Sequence, residues 1–344
     1  MTVTKPTPEY SVLGAGNWGT TIAHLIGSNG FDVRLYARSP AMAREINEQR
    51  RNERYLPGLE LSRRIEATDA LEACVRGVPL IFMVIPSEAF REVAATIGPM
   101  LEPSQVIVHA TKGLEQGSSK RMSELLREET CVRQLGVLSG PNIAKEIMLG
   151  RPAGTVIASR FPRVIERAKV PLVSARMRVY GNDDVVGVEL GGTLKNIIAI
   201  AAGMATQMEL GENAKALLIT RGLTEMARLG EALGANPATF AGLSGVGDLI
   251  VTCASPLSRN HRVGAALARG ETLEQAIASL GMVAEGVKAA KVAHELAQTH
   301  GIELPLMEGV YRVLHHGVAP MAALGQLMER TSGHESSPTL LGGA

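Results

Sequence analysis

The stretch YSVLGAGNWGTTIAHLI, residues 10–26, decides the fold. It begins with a short apolar run and continues through a glycine-rich turn, and its last seven residues have apolar side chains at helical spacing. A second apolar run, Phe31 to Tyr36, follows directly. Strand, turn, helix and strand together span about 30 residues, the size of a unit that joins two parallel strands through a helix.

The pattern repeats along the first half of the chain. Helix-like segments such as Ser118 to Glu129 separate further short apolar runs. Such alternation predicts an α/β domain with a doubly wound, mostly parallel sheet. The additional predicted strands are residues 80–85, 106–110, 135–139, 156–159 and 178–180.

The second half of the chain has a different pattern. From about Asp184 the strand-like runs cease, and segments rich in Ala, Leu, Met, Glu and Lys predict an all-helical domain. Its first helix is predicted at residues 185–208, and glycines at 234–237 and 242–247 are expected to break later helices. We therefore predict domains at residues 1–183 and 184–330, followed by a flexible tail at 331–344.

Composition excludes several classes of partner. Among 344 residues, 35 Lys and Arg balance 34 Asp and Glu, and only 3% of residues are aromatic, so neither nucleic acid nor an anionic membrane is an expected partner. A small-molecule substrate is expected instead. The longest apolar stretch, Ile197 to Ala205, is too short to span a bilayer and predicts a buried helix.

The cysteines and the N-terminus suggest a cellular compartment. The cysteines at positions 74, 131 and 253 are odd in number and widely spaced, as expected for reduced thiols. Residues 1–9 contain no apolar segment of the kind found in secretory signals. Both observations predict a cytoplasmic protein.

The glycine motif predicts a dinucleotide-binding site. Gly14 suits the tight turn, Gly16 admits a pyrophosphate, and Gly19 lets the helix pack closely on the strand. The alternative is a tight turn without a ligand.

The second strand ends in Ala37-Arg38 and lacks the carboxylate that holds the ribose of NAD. Arg38 therefore favours NADP as the cofactor, although a solvated arginine at a helix start is an equal alternative.

Two loops follow predicted strands, where doubly wound sheets bind ligands. Lys112 lies in the first loop and is a candidate contact to cofactor or substrate. The alternative is that Lys112 is an ordinary surface lysine. The second contains Gly140 and Asn142, and the helix after it begins near Ala144. The backbone of this second loop is predicted to line the nicotinamide.

Lys195 lies in an otherwise apolar helix, where burying an ammonium group is unfavourable unless the group is paired. Desolvation lowers the pKa of a lysine, which suits a proton donor to a carbonyl oxygen. The alternative is a lysine that reaches solvent from a half-buried helix. Asp248 is a candidate partner for Lys195, and Arg259 and Asn260 are donors suited to a phosphate. A helix cap and a charged turn are the alternatives for these three residues.

Taken together, these segments resemble the bacterial type of the NAD(P)-dependent glycerol-3-phosphate dehydrogenase family, from Gly14 to about Met328. The resemblance implies a Rossmann-type first domain and an oxidoreductase that interconverts dihydroxyacetone phosphate and glycerol 3-phosphate for phospholipid synthesis. It also implies a homodimer. The most specific motifs are residues 14–20, 111–113, 187–196, 220–222 and 247–249 with 258–260.

The resemblance also implies roles for individual residues, with Lys195 as the catalytic acid and base. The implied substrate-binding residues are Lys112, Gly140, Asn142, Lys195, Asp248, Thr252, Ser258, Arg259 and Asn260. The implied cofactor-binding residues are Gly14, Gly16, Asn17, Trp18, Gly19, Arg38, Arg54, Tyr55, Lys112, Ala144, Arg259, Val283 and Glu285.

The sequence departs from the family pattern at three positions. Asn17 and Asn142 stand where the family usually has a hydroxyl residue, and both retain hydrogen-bond donors. Ala37 replaces the usual histidine before Arg38, which changes the adenine pocket.

Three alternatives remain at this stage. A dehydrogenase of a 3-hydroxy acid or a branched 2-keto acid shares the two-domain design, but it has no need of the pair Arg259 and Asn260. A non-catalytic NAD(P)-sensing protein has no need of Lys195 in an apolar helix. A metal mechanism is disfavoured because His294, His300 and the pair 315–316 form no helical ligand pair with a spacing of four, so no metal is expected.

Overall fold

A computed structural model describes residues 8–256, 258–280 and 284–329. The predicted flexible tail at 331–344 and the predicted cofactor contact Val283 lie outside the described residues. By their contacts the described residues form two compact units, the first containing 8–111 and 121–185 and the second containing 112–120 and the residues from 186 onward.

The segment 112–120 belongs to the second unit, although the residues on either side of it in the sequence belong to the first. Leu114 packs in the hydrophobic core of the second unit, and the Gly113 N–H donates a hydrogen bond to Thr193 Oγ1 at 3.0 Å. Burial of an apolar side chain and a buried hydrogen bond together assign this segment to the helical unit.

Within the described residues, the first unit is built on one eight-stranded sheet. Its strands are β1 (Tyr10–Leu13), β2 (Val33–Tyr36), β3 (Ile65–Thr68), β4 (Leu80–Met83), β5 (Val106–His109), β6 (Gln134–Ser139), β7 (Ala153–Ala158) and β8 (Met177–Asn182). Their order is β3-β2-β1-β4-β5-β6-β7-β8, and all neighbours are parallel except the antiparallel pair β6 and β7. The predicted doubly wound, mostly parallel sheet is confirmed.

Helices cover both faces of the central strands, which explains why these strands are buried along their whole length. All residues of β1, β4 and β5 are buried, as expected for strands covered on both faces. The helices of this unit are α1 (Asn17–Ser28), α2 (Pro40–Gln49), α3 (Phe90–Ile97), α4 (Met122–Glu129), α5 (Ala144–Met148) and α6 (Pro162–Lys169). Helix α4 begins later than predicted because Ser119 has a φ of 56°, which is incompatible with a right-handed helix.

The described part of the second unit contains helices and no strand, which confirms the all-helical prediction. Its helices are α7 (Val185–Gln207), α8 (Gly211–Ala232), α9 (Asp248–Ala254), α10 (Arg259–Ala268), α11 (Leu273–Leu280), α12 (Glu285–His300), α13 (Pro305–His316) and α14 (Pro320–Met328). Helix α7 is long and apolar enough to cross a membrane, but 94% of its most apolar window is buried inside the protein. It is the core helix of this unit.

The predicted break at residues 242–247 is wrong in one respect. Leu243–Gly247 forms a single π-helical turn that continues directly into α9. Gly245 permits this path because a Cβ there would lie 2.0 Å from the Phe240 carbonyl oxygen. Gly245 therefore allows the two segments to pack closely. The π-helical turn leads directly into Asp248 at the start of α9.

Candidate active site

The glycine turn between β1 and α1 has a fixed shape. Gly14 has a φ of +114°, and a Cβ there would lie 2.2 Å from the Val84 carbonyl oxygen. A Cβ on Gly19 would lie 1.9 Å from the Gly14 carbonyl oxygen. Only glycine fits at either position, so the turn can pass tightly over the end of the strand.

Gly16 differs from the other two glycines because a Cβ there would meet no heavy atom within 4 Å. It is the N-cap of α1 and has no side chain with which to cap the helix. Backbone N–H groups at the start of a helix attract anions. The open space and the helix start together fit the pyrophosphate of a dinucleotide.

Asn17 and Trp18 are the first residues of α1. The exposed Asn17 accepts a hydrogen bond from the Trp18 N–H at its Oδ1, at 2.9 Å. Trp18 is half-buried and packs against the core of the first unit.

Two arginines lie in loops of the same unit. Arg38 is exposed two residues beyond the end of β2, and Ala37 beside it is buried. Arg54 is also exposed, and its guanidinium carbon lies 5.4 Å from the ring centre of Tyr55. No carboxylate follows β2 before α2, so the ribose-binding carboxylate of an NAD-specific site is absent from this segment.

The loop after β6 is held by side-chain hydrogen bonds. Gly140 has a φ of +147°, and Asn142 Nδ2 donates to Thr155 Oγ1 at 2.9 Å. Thr155 Oγ1 donates in turn to the Ser139 carbonyl oxygen at 2.9 Å. The predicted hydrogen-bond donor of Asn142 is therefore already engaged within the protein. Ala144, which is buried, begins α5 as predicted.

The second unit contains a buried cluster of charged groups. Lys195 of α7 places its Nζ 2.5 Å from Asp248 Oδ1 and 2.6 Å from Thr252 Oγ1. Lys112 Nζ lies 2.5 Å from Asp248 Oδ2, so one carboxylate bridges two ammonium groups. Lys195 is 5% exposed and Asp248 is 2% exposed. The predicted pairing of Asp248 with Lys195 is confirmed, and Lys112 joins it.

Burial and charge set the protonation of this cluster. Burial lowers the pKa of Lys195 to about 8, although the Asp248 carboxylate opposes the shift. Burial also raises the pKa of Asp248, but Lys112 and Lys195 outweigh that effect and hold it below its ordinary value. Asp248 is thus ionised near neutral pH, and Lys195 can gain or lose a proton there. With both lysines protonated the cluster carries one net positive charge and attracts an anion.

Cys253 lies close to the charged cluster, but it is not a second reactive group. Burial raises the pKa of its thiol to about 12, so the thiol stays protonated and weakly nucleophilic.

Both polar atoms of the Asn260 side chain have hydrogen-bond partners within the protein. Its Nδ2 donates to Asn196 Oδ1 at 2.8 Å, and its Oδ1 accepts from the Gly286 N–H at 2.9 Å. The buried side chain therefore joins α7, α10 and α12.

Arg259 is exposed at the first position of α10, and Ser258 caps that helix by accepting from the His261 N–H. Glu285 is the half-buried first residue of α12.

The sequence analysis assigned no role to Thr193 or Asn196, although both lie in the motif at residues 187–196. Thr193 accepts from the Gly113 N–H and so anchors the loop that carries Lys112, while Asn196 receives the Asn260 amide. Both are buried polar residues in the same apolar helix as Lys195. That placement was the available signal, because buried polar side chains in a core helix need partners.

A glycine turn that opens a helix in a doubly wound sheet, together with a buried lysine in a helical unit, defines a nicotinamide-dinucleotide oxidoreductase. Family models for the N-terminus and C-terminus of NAD-dependent glycerol-3-phosphate dehydrogenase match residues 9–164 and 184–325. A glycerol-3-phosphate dehydrogenase [NAD(P)+] of Bacillus mycoides is 45% identical over 330 residues, covering 95% of this chain and 97% of the relative. The chain belongs to the NAD-dependent glycerol-3-phosphate dehydrogenase family.

Solved structures agree with this assignment. The glycerol-3-phosphate dehydrogenase of Coxiella burnetii is 39% identical with a TM-score of 0.89, covering 94% of this chain and 99% of that one. The glycerol-3-phosphate dehydrogenase of Saccharomyces cerevisiae is 28% identical with a TM-score of 0.84, covering 94% of this chain and all of that one, 100%. The family resemblance inferred from the sequence motifs is confirmed.

Proposed function

We propose that this protein interconverts glycerol 3-phosphate and dihydroxyacetone phosphate with NAD(P)(H), and that it acts in the cytoplasm to supply glycerol 3-phosphate for phospholipid synthesis. The observation that carries the chemistry is the buried ammonium group of Lys195, held between Asp248 and Thr252. A ketone that receives hydride needs one proton to become an alcohol, and this group can supply it.

The first unit is the proposed cofactor-binding unit. The open space at Gly16 and the start of α1 support a pyrophosphate there. A bound nicotinamide supplies the hydride for reduction and accepts it in the reverse reaction. Arg54, Tyr55, Ala144 and Glu285 are proposed as further cofactor contacts, on the family resemblance. Arg38 is proposed to bind the 2′-phosphate, which makes NADPH the preferred cofactor.

Lys195 is the proposed acid in the reductive direction and the base in the oxidative direction. Dihydroxyacetone phosphate, reduced cofactor and one proton give glycerol 3-phosphate and oxidised cofactor, so one proton crosses Lys195 Nζ in each turnover. A pKa of about 8 allows both protonation states near neutral pH, as general acid–base catalysis requires.

Asp248 is the proposed positioning group for Lys195. Its two carboxylate oxygens contact Lys195 and Lys112 separately, which holds the two ammonium groups apart and in place. Thr252 Oγ1 donates to the Asp248 main-chain oxygen at 2.6 Å, so its oxygen lone pairs remain oriented toward Lys195. Lys112, which is less buried than Lys195, is proposed to bind substrate.

Arg259 is the proposed ligand of the substrate phosphate, because an exposed guanidinium at a helix start can bind phosphate with two parallel hydrogen bonds. Asn260 is proposed to hold the start of α10 in place through Asn196 and Gly286. Gly140, Asn142 and Ser258 complete the proposed substrate site on the family resemblance.

The assay that tests these roles follows NADPH oxidation with dihydroxyacetone phosphate. Lys195→Met should lower kcat by roughly 10²- to 10⁴-fold, because it removes the proton donor. Arg259→Ala should raise KM for dihydroxyacetone phosphate by about 10- to 100-fold, because it removes charge-assisted hydrogen bonds. The matched controls are Lys291→Met and Arg262→Ala, which alter exposed side chains of α12 and α10.

Each outcome decides a separate part of the proposal. If wild-type protein binds NADPH but oxidises none of it with dihydroxyacetone phosphate, the proposed reaction is refuted and only the proposed cofactor binding remains. A Lys195→Met variant with wild-type kcat would remove the acid and base role. For the cofactor preference, Arg38→Ala should lower the ratio of kcat/KM with NADPH to that with NADH, and an unchanged ratio would refute the role of Arg38.

We further propose that the protein is a homodimer. Leu217 of α8 and Met321 and Met328 of α14 are large apolar side chains that remain exposed in the single chain. The family resemblance carries this proposal, and these exposed side chains are available to an interface with a second copy. Light scattering after size exclusion should give twice the 36.4 kDa mass of one chain, and the mass of one chain would refute the dimer.

A further inference from the structure

Asn52 is a polar side chain that no part of the proposed chemistry uses, and it is fully buried at 0% exposure. It follows the end of α2, where Arg50 has a left-handed φ of 56°. Loop residues normally face solvent, and a buried amide is stable only when its donors have partners. The partners of Asn52 therefore indicate what this residue does.

Both hydrogen bonds of the Asn52 amide group reach the dinucleotide turn. Asn52 Nδ2 donates to the Ala15 carbonyl oxygen at 3.0 Å and to Thr20 Oγ1 at 2.9 Å. Ala15 lies between Gly14 and Gly16, and Thr20 lies in the first turn of α1. Asn52 acts here only as a donor, since its Oδ1 has no hydrogen-bond partner among the described residues.

The contact with Ala15 fixes the direction of the Gly16 N–H. A peptide unit is planar and trans, so its carbonyl oxygen and the following N–H point in opposite directions. Holding the Ala15 oxygen on Asn52 therefore points the Gly16 N–H away from Asn52. Rotation of this peptide changes ψ of Ala15 and φ of Gly16, and glycine has wide freedom in φ, so the Asn52 contact adds a constraint that Gly16 itself does not supply.

The main chain of Asn52 shapes a second cofactor segment. Its carbonyl oxygen accepts from the N–H groups of Tyr55 at 3.2 Å and Leu56 at 2.8 Å. These bonds close the turn that carries Arg54 and Tyr55, and Leu56 anchors it in the interior at 3% exposure. One buried residue thus ties the glycine turn to the loop that carries two of the proposed cofactor contacts.

We propose that Asn52 is a positioning residue for the dinucleotide, aiming the Gly16 N–H at the pyrophosphate and holding the loop of Arg54 and Tyr55 beside it. The inference rests on the proposed use of a nicotinamide dinucleotide. If Asn52 positions the dinucleotide, its substitution weakens cofactor binding. If Asn52 served stability alone, its substitution would leave cofactor affinity unchanged.

Asn52→Asp removes the donor while keeping the size of the side chain, and it places a carboxylate against the Ala15 oxygen. Thr20→Val is the milder variant, because it removes only the hydroxyl that Asn52 contacts. Thr21→Val is its matched control, since Thr21 is equally buried but donates to the Asn17 carbonyl oxygen within the helix at 2.8 Å.

The measurements are the Kd of NADPH from fluorescence titration, the KM values for NADPH and dihydroxyacetone phosphate, and Tm. We expect Asn52→Asp to raise Kd and KM for NADPH about tenfold or more, the effect of losing a buried hydrogen bond and adding a repulsion. Thr20→Val should raise both about threefold, and Thr21→Val should leave them unchanged. KM for dihydroxyacetone phosphate at saturating NADPH should stay within about twofold of wild type, because the loss concerns the cofactor alone.

The proposal is overturned if Thr20→Val, and Asn52→Asp where it folds, lower Tm while binding NADPH with the wild-type Kd. Thr20→Val decides the question if Asn52→Asp does not fold. Wild-type protein that bound no dinucleotide would instead overturn the proposed function, so the two failures are distinguishable.

Discussion

At the scale of single residues, the protonation of Lys195 is the feature on which the proposed chemistry depends. Its ammonium group is buried against one carboxylate that it shares with Lys112. Burial lowers the pKa of Lys195 from its ordinary value to about 8. In the proposed mechanism, reduction requires the protonated form of Lys195 at the start of a turnover, and oxidation requires its neutral amine.

The two directions should therefore have opposite pH profiles. As pH rises through about 8, Lys195 loses its proton, so kcat/KM for reduction of dihydroxyacetone phosphate should fall and that for oxidation of glycerol 3-phosphate should rise. Initial rates between about pH 6 and pH 10, in both directions, measure this. Two profiles that bend in the same direction near pH 8 would show that another group carries the proton.

The sequence predicted some of these residues better than others. Lys195 was detectable because a charge in an apolar helix needs a partner, and Asp248, in a glycine-containing segment, was a candidate for that partner. The second partner, Lys112, was not predictable, because its segment joins the helical unit through Leu114 and Gly113. Contacts between residues 136 positions apart depend on the tertiary fold.

At the scale of elements, the start of α13 depends on a side chain from another helix. The buried carboxylate of Glu225 in α8 accepts hydrogen bonds from the N–H groups of Leu306 at 2.7 Å and Met307 at 2.9 Å. It thus satisfies two of the N–H groups that a helix start leaves without partners within the helix. A negative charge at that end of the helix is also favourable.

Glu225→Ala should lower the free energy of unfolding by at least about 2 kcal/mol, because two buried N–H groups lose a charged acceptor. Urea unfolding followed by circular dichroism measures the change. Glu231→Ala, at an exposed position of the same helix, is the control and should change stability by no more than about 0.5 kcal/mol. Equal stabilities of the two variants would contradict the proposed cap.

Helices α7 and α10 also pack through glycines. A Cβ on Gly203 would lie 2.0 Å from the His261 carbonyl oxygen, and one on Gly264 would lie 2.0 Å from the Ile200 carbonyl oxygen. Backbone lies directly against backbone at this crossing. The position of the start of α10, with Arg259 and Asn260, is therefore fixed relative to Lys195 in the same unit.

Gly203→Ala should push α10 away and should both destabilise the protein and raise KM for dihydroxyacetone phosphate. Gly325→Ala in α14 is the control, since a Cβ there meets nothing within 4 Å and alanine favours a helix. Thermal unfolding and steady-state kinetics measure the two effects. A Gly203→Ala variant as stable and active as the Gly325→Ala variant would show that the crossing is not tightly packed.

Helices and strands were easier to predict from the sequence when their pattern of apolar residues was long and clear. The strongly apolar strands β1, β4 and β5 and the long helix α7 were identified, with ends that differ by a few residues. Strand β3, with sequence IEAT, was missed because four residues of weak alternation do not differ from a loop. Its strand conformation depends on pairing with β2.

At the scale of the whole molecule, positive and negative charges nearly cancel, so any strong electrostatic attraction must arise from local groups of charged residues. The chain as a whole has a formal net charge of +1, so the proposed anion binding depends on local groups such as Lys112, Lys195 and Arg259. The two units each have their own core, and each contains residues that are proposed to bind ligands. Ligands that bind only folded protein stabilise it by mass action.

NADPH at about 100 times its Kd should therefore stabilise the folded protein by about 2.7 kcal/mol and raise Tm. Scanning calorimetry with NADPH measures this stabilisation, and Arg259→Ala should keep most of it. Glycerol 3-phosphate should raise Tm of wild type but not of Arg259→Ala, whose proposed phosphate ligand is missing. A variant stabilised by glycerol 3-phosphate as strongly as wild type would place the phosphate elsewhere.

The central claim is hydride transfer between the nicotinamide and the middle carbon of dihydroxyacetone phosphate. Its most direct test uses NADPH that carries deuterium at both hydrogen positions of nicotinamide C4, with mass spectrometry of the product. We predict glycerol 3-phosphate with one deuterium at C2, formed by wild type and formed far more slowly by Lys195→Met. Unlabelled glycerol 3-phosphate, or no product despite bound NADPH, would contradict the account.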